Sequence, residues 1–209
     1  MMEARRILEA HPVNRDREKR GERPANTILL RGAGVAPSLT PFKERYGLKG
    51  GCISTVGLVR GVGRFCGLDV LGAEPDTAIE ELGAMALEAA EDYDFVLLNI
   101  KPADDASHDG DPDRKIAVIE EIDRAAAAFR GFAEENYLAI MADHTSSITR
   151  KDHCGDPVPL VIAGPEVRTD DVSLFSERAA AKGGLCRIRG TDIMNILLDL
   201  MNRSEKFGA

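Results

Sequence analysis

Asp104 and His108 lie four residues apart in the run KPADDASHDGD (101–111). That spacing puts both side chains on one face of a helical turn, as a metal-binding pair. Asp143 and His144 are adjacent in DHTSS (143–147), and His153 follows within ten residues. Imidazole and carboxylate donors together suit zinc, manganese and other divalent ions. Two such ions ~4 Å apart clamp the attacking and leaving oxygens of a phosphoryl transfer. Taken singly, each motif is an ordinary solvated acidic loop. Placed together at one sheet edge, they describe a site.

The elements that must position these residues are short apolar runs alternating with longer helical patterns. TILLRG (27–32) reads as a strand, followed by a Pro-led helix at 41–47. GCISTVGLV (51–59) reads as a strand or strand–turn, and DFVLLNI (94–100), YLAIMA (137–142) and VPLVIAG (158–164) read as further strands. A helix is predicted over 77–92, opening on a Thr77/Glu80 capping box with Ile79, Leu82, Ala86 and Ala89 along one face. Another runs from about 113 to 135, with Ile116, Ile119 and Phe129 inward. The last two, near 173–182 and 191–203, are separated by Gly183-Gly184. This alternation predicts an α/β domain with a mainly parallel sheet flanked by helices. Ligands collect at the carboxyl ends of such strands, and there DFVLLNI runs into 101–111 and YLAIMA into 143–147.

With 209 residues the chain can bury one sizeable core, and 44% hydrophobic with 30% charged residues is ordinary for a globular protein. A net charge of -8 and a pI near 5.1 exclude nucleic acid or an anionic membrane as the main partner. An acidic protein still binds a small phosphorylated acid when metal ions or arginines neutralise it. No apolar window reaches the ~18 residues of a membrane span. The opening MMEARRILEAHPVNRDREKR lacks a signal-peptide core and reads as a charged helix followed by a basic loop. Cys52, Cys66, Cys154 and Cys186 show no CxxC spacing. They point to neither a structural zinc site nor a disulfide framework, and a reducing cytoplasm is the simplest inference. Cys154 reads as a small, partly buried side chain rather than a reactive thiol.

Arg31, at the end of TILLRG, and Arg60, in VRGVGR, are the candidates to bind a substrate carboxylate or phosphate. The pairs Gly32/Gly34 and Gly61/Gly63 lack the third position of a nucleotide fingerprint and read as turns. Lys115 and Glu120 read as helix-surface pairs, with a place near the metal as the alternative. Ser146 and Ser147 read as loop serines.

KPADDASHDGD with Lys115 and the IEEID run, ADHTSS, and HCGDPVPLVIAG together resemble the archaeal-type cofactor-independent phosphoglycerate mutases of the alkaline phosphatase superfamily. The likeness continues through HPVNRDREKRG, ANTILLRGAG and RIRGTDIMNILLDL. It implies an alkaline-phosphatase-like fold in which Asp104, His108 and His153 hold one metal, and Asp143 and His144 bind the other. The metals implied are manganese, magnesium, zinc or cobalt, and the reaction is interconversion of 3-phosphoglycerate and 2-phosphoglycerate through a phosphoserine. It also implies a chain incomplete relative to the family, whose first half supplies an early Asp ligand and the nucleophilic serine. No catalytic nucleophile is therefore identified in this sequence. On that reading, 1–24 resembles the exit of an inserted substrate domain and 25–209 the C-terminal part of the metal-binding domain. The remainder is expected from a separately encoded N-terminal half, or its exposed sheet edge is covered by self-association. A phosphatase or phosphomutase on another small metabolite, and a non-catalytic metal-binding remnant, are the alternatives. His11, Asn14 and Arg17 suit a capping or linker role as well as substrate contact.

Overall fold

A computed structural model describes residues 2–30 and 32–204. They fall into two compact units, 1–38 and 39–209, whereas the sequence reading placed the division after residue 24.

In the first unit, α1 (Met2–Ala10) is followed directly by α2 (Pro12–Lys19). The expected basic loop is therefore a helix. His11 caps it, its Nδ1 accepting from the Val13 amide at 3.3 Å, and Pro12 fills the first turn, where an N–H would be unpaired anyway. Ion pairs of Lys19 with Asp16 (3.2 Å) and Arg17 with Glu22 (3.4 Å) offset much of its charge locally. Asn14 is buried and ties the unit together. Its amide nitrogen donates to Leu8 O (2.7 Å) and Ala25 O (3.1 Å), while its oxygen accepts from Ala25 N (2.8 Å). Asn14→Ala removes the side-chain partner of both the Ala25 amide and the Ala25 carbonyl, while Leu8 O keeps the His11 amide, and a lost hydrogen bond of this kind costs roughly 1 kcal/mol. The expected outcome is lost hydrogen-exchange protection at the Ala25 amide, with core amides of the second unit unchanged.

TILLRG does not form a strand. Residues 22–30 and 32–41 have no regular structure, and Ile28, Leu29 and Leu30 are exposed. An apolar run becomes a strand only when a neighbour takes its backbone donors and acceptors, and no described strand pairs with this one. Arg31 lies outside the described residues.

The second unit opens with α3 (Phe42–Tyr46), which stops at Gly47 in the left-handed conformation, φ 66°. There follow β1 (Gly50–Ser54), α4 (Gly57–Phe65), β2 (Asp69–Leu71), α5 (Ile79–Asp92) and β3 (Phe95–Asn99). The three strands form a parallel sheet in the order β2-β1-β3, with β1 running register by register beside β3 from Gly50↔Phe95 to Ser54↔Asn99. The strand expected over 51–59 thus ends at Ser54, and its second half is α4. That helix lies close on β1 because position 63 is glycine: a Cβ there would meet Cys52 Sγ at 2.9 Å. α5 starts one residue later than the capping box required; its N-cap is Ala78, and no side chain caps it.

The chain continues through α6 (Pro102–Asp109), α7 (Pro112–Ala126), a short 3-10 turn, α8 (Phe132–Glu135), β4 (Leu138–Met141), β5 (Thr145–Ser147), β6 (Asp152–Cys154), β7 (Leu160–Ala163), α9 (Glu177–Ala180) and α10 (Ile193–Leu200). The helix expected to reach residue 135 breaks after Ala126. The one expected over 173–182 shrinks to a single turn, its N-terminus capped by Ser176. β4 pairs with β7, and β5 with β6, both antiparallel. The α/β architecture with a parallel sheet flanked by helices is as expected, and these two antiparallel pairs add to it.

Alternate residues of β1 serve two cores. Cys52 packs with Phe42, Leu48, Leu68 and Leu198, while Ile53 packs with Ala73, Leu82 and Ala86. At the strand's carboxyl end, buried Ser54 donates to Asn99 Oδ1 at 2.9 Å and accepts from the Val56 amide at 3.0 Å. This fixes the exit of β3, from which α6 begins. Among the described residues, no helix is long and apolar enough to cross a membrane.

Candidate metal centre

Two residues separate β3 from α6, which has Pro102 in its first turn and Gly110 at φ 74° closing it. The expected helical turn is present. His108 Nε2 stands 3.5 Å from Asp104 Oδ2. The β5–β6 hairpin sets His153 opposite Ser146, and this brings the His153 imidazole onto the same carboxylate, Nε2 to Asp104 Oδ1 3.5 Å. The two imidazoles meet at 3.2 Å, Nε2 to Nε2. One donor atom from each of Asp104, His108 and His153 lies within 4.8 Å of the others.

The surrounding hydrogen bonds prepare these donors. His108 Nδ1 is 2.9 Å from Lys151 O. A carbonyl only accepts, so Nδ1 carries the proton and Nε2 presents its lone pair toward Asp104 and His153. The Asp104 side chain is only 16% exposed. Burial pushes its pKa up, but hydrogen bonds from Lys101 and Ser146, with the charge of Lys101, outweigh this and bring it down to about 2. It is a carboxylate at neutral pH. Two imidazoles and a carboxylate are a donor set that suits a divalent cation with positions left open.

Asp143 and His144 form a second pair beside the trio. The His144 ring stacks on His153, centroids 3.7 Å apart at 30°. Ser146 spends its single hydroxyl proton on Asp104 and therefore accepts from His144 Nδ1 at 3.1 Å. His144 Nε2 is left facing Asp143 Oδ2 at 3.5 Å. Asp143 is 74% exposed, and its Oδ1 accepts from the His144 amide. Among the described residues this pair gathers no third donor of its own.

Arg60 lies on α4, where its charge acts on Cys52, partly offsetting the upward push of burial on that thiol. Among the described residues, no hydrogen bond or ion pair joins it to the metal-centre residues. The four cysteines are free, and Cys154 is partly buried, its Sγ 3.7 Å from Thr145 O.

Ser146 is not an ordinary loop serine. It is buried and links the two groups of donors. Its role depends on the hairpin register, which the short polar run TSS does not announce. Lys101, three residues before Asp104, bonds to it across one helical turn, a relation the spacing already contained. Lys115 reaches the hairpin, donating to Ser146 O at 2.9 Å rather than pairing along its own helix.

Residues 3–200 match the Metalloenzyme superfamily. The 2,3-bisphosphoglycerate-independent phosphoglycerate mutase 1 of Methanothermobacter thermautotrophicus is 52% identical over 99% of this chain and 52% of its own length. The corresponding Pyrococcus horikoshii enzyme is 46% identical over 99% of this chain and 52% of its own. A solved structure of a Pyrococcus horikoshii protein superposes with a TM-score of 0.87 at 45% identity, covering 98% of this chain and 56% of the other. The cofactor-independent phosphoglycerate mutase from Thermoplasma acidophilum does so with a TM-score of 0.66 at 32% identity, covering 95% and 49%. The chain thus spans about half the length of the relatives it matches.

Proposed function

Because the chain belongs to the Metalloenzyme superfamily, we propose that it is one half of a metal-dependent phosphoglycerate mutase. Asp104, His108 and His153 hold one divalent cation, and Asp143 and His144 contribute to a second. The observation that carries this reading is the convergence of the three donors, with the His108 tautomer already set. When bound, such cations supply positive charge against an anionic phosphorylated substrate and polarise its phosphoryl oxygens.

The chain's own residues position and support. Ser146 holds Asp104, Lys115 fixes the hairpin, and Lys151 orients His108. Arg60 and Arg31 are the guanidinium groups offered to the carboxylate and phosphate of 3-phosphoglycerate and 2-phosphoglycerate. The nucleophilic serine and a further Asp ligand belong to the segment that the longer relatives carry and this chain does not span. In this reading that segment completes the centre, and the enzyme works in a reducing cytoplasm. Manganese, magnesium, zinc and cobalt all suit the donor set.

A mutase assay with Mn2+ tests this, on the chain alone and mixed with a polypeptide covering the other half of a relative. Activity is expected only in the mixture and is abolished by a chelator. Mutase activity of the chain alone would overturn the need for a partner. Phosphatase activity alone, with none of the mutase reaction in the mixture, would transfer the site to another small phosphorylated metabolite.

A further inference from the structure

Lys101 occupies an unusual position for a cation. Its ammonium donates to Asp104 Oδ2, the same oxygen that faces His108 Nε2 at 3.5 Å. It also lies 3.2 Å from Asp105 Oδ1. A carboxylate oxygen bonded to an ammonium has less electron density to give a metal ion, and two cations only a few ångströms apart repel. Lys101 and a divalent ion therefore compete for Asp104.

The surroundings fit an exchange between the two. Without an ion, Asp104 would be a largely buried charge with two imidazoles and a hydroxyl around it, and Lys101 is the cation that compensates it. The Lys101 side chain is 34% exposed and sits on a flexible four-carbon stem. Asp105, 50% exposed on the outer side of the same turn, gives the ammonium somewhere to go. Leaving Asp104 does not leave Lys101 unpaired.

We propose that Lys101 is a built-in competitor for the metal. It neutralises Asp104 and yields that carboxylate to an entering divalent ion, moving wholly onto Asp105. Lys101 thereby sets the affinity at an exchangeable level. This inference rests on the reading of Asp104, His108 and His153 as a cation site.

Titration calorimetry with Mn2+ on the full chain tests it, using K101M, D105N, the double variant and K101R. K101M should bind Mn2+ about tenfold more tightly than the unaltered chain, the scale at which neighbours of metal ligands act. D105N should bind several-fold more weakly, because it removes the alternative partner. The double variant should match K101M, since Asp105 acts only through Lys101. K101R keeps the charge and should not tighten binding, and its circular dichroism serves as the folding control. Weaker Mn2+ binding by a folded K101M would overturn the proposal and make Lys101 a simple support for Asp104. An undiminished effect of D105N in the K101M background would also overturn it, because Asp105 would then act by its own charge. No binding to either the unaltered chain or K101M would overturn the cation site itself, and this inference with it.

Discussion

Asp104→Ala is expected to remove divalent-cation binding from the chain almost completely. Residues that merely support a metal ligand change affinity by roughly 10–100-fold, so losing the shared carboxylate itself should exceed ~100-fold. Asp104 is the residue on which the centre converges: His108 and His153 each stand 3.5 Å from one of its oxygens, and Lys101 and Ser146 bond to it. Asp143→Ala makes the contrast, since that carboxylate is exposed and outside the trio. It should leave the first Mn2+ within about tenfold of the unaltered affinity, less than many supporting residues. Calorimetry reads both. Retention of affinity within a few-fold in Asp104→Ala would place the ion elsewhere.

The second large effect lies in the core. Ile53 is fully buried at the centre of β1, against Ala73, Leu82 and Ala86. Ile53→Ala deletes three heavy atoms from the middle of a cluster that Leu71, Met85, Leu98 and Phe129 also pack against, and neighbours of a deleted core side chain close such a gap only in part. A loss of about 3–5 kcal/mol is expected, a large share of the 5–15 kcal/mol that typically holds a domain together. Ile53→Val should cost about 1 kcal/mol. Urea unfolding measures both: the midpoint should fall in that order with an unchanged slope. An Ala variant within ~1 kcal/mol of the unaltered chain would show that the α5 side of the sheet repacks freely.

What the sequence disclosed of this fold follows from how local each feature is. The Asp104–His108 pair was legible because four residues of helix suffice to make it. β3 was legible because its apolar run has no alternative use. β1 was only half legible. It reads as strand or strand–turn to residue 59, with Gly61 and Gly63 as turns, whereas 57–65 is α4, whose close approach to Cys52 at Gly63 no local pattern shows. TILLRG illustrates the opposite failure: its β-forming residues are real, but a strand is a property of two chains and no described partner is present. The Thr77/Glu80 motif missed by one residue, because Ala78 is the N-cap. Within the site, Ser146 was invisible for a similar reason. One partner, His144, is two residues away, but the other, Asp104, is 42 residues away.

The clasp between α6 and the hairpin bears on when this centre comes into being. His108 rests on the carbonyl of Lys151, and the Lys151 ammonium holds the carbonyl of Asp109 at 2.9 Å. Lys151 is itself left-handed, φ 54°, an uncommon setting for a residue with a side chain. These two ties span 43 and 42 residues. Closing so long a loop costs only about 0.6 kcal/mol more than closing one half its length, but it must be closed before the imidazole has a fixed tautomer. A nascent or locally opened chain therefore carries ordinary, freely tumbling histidines. The arrangement of the three donors therefore comes with the folded state, and not with α6 alone.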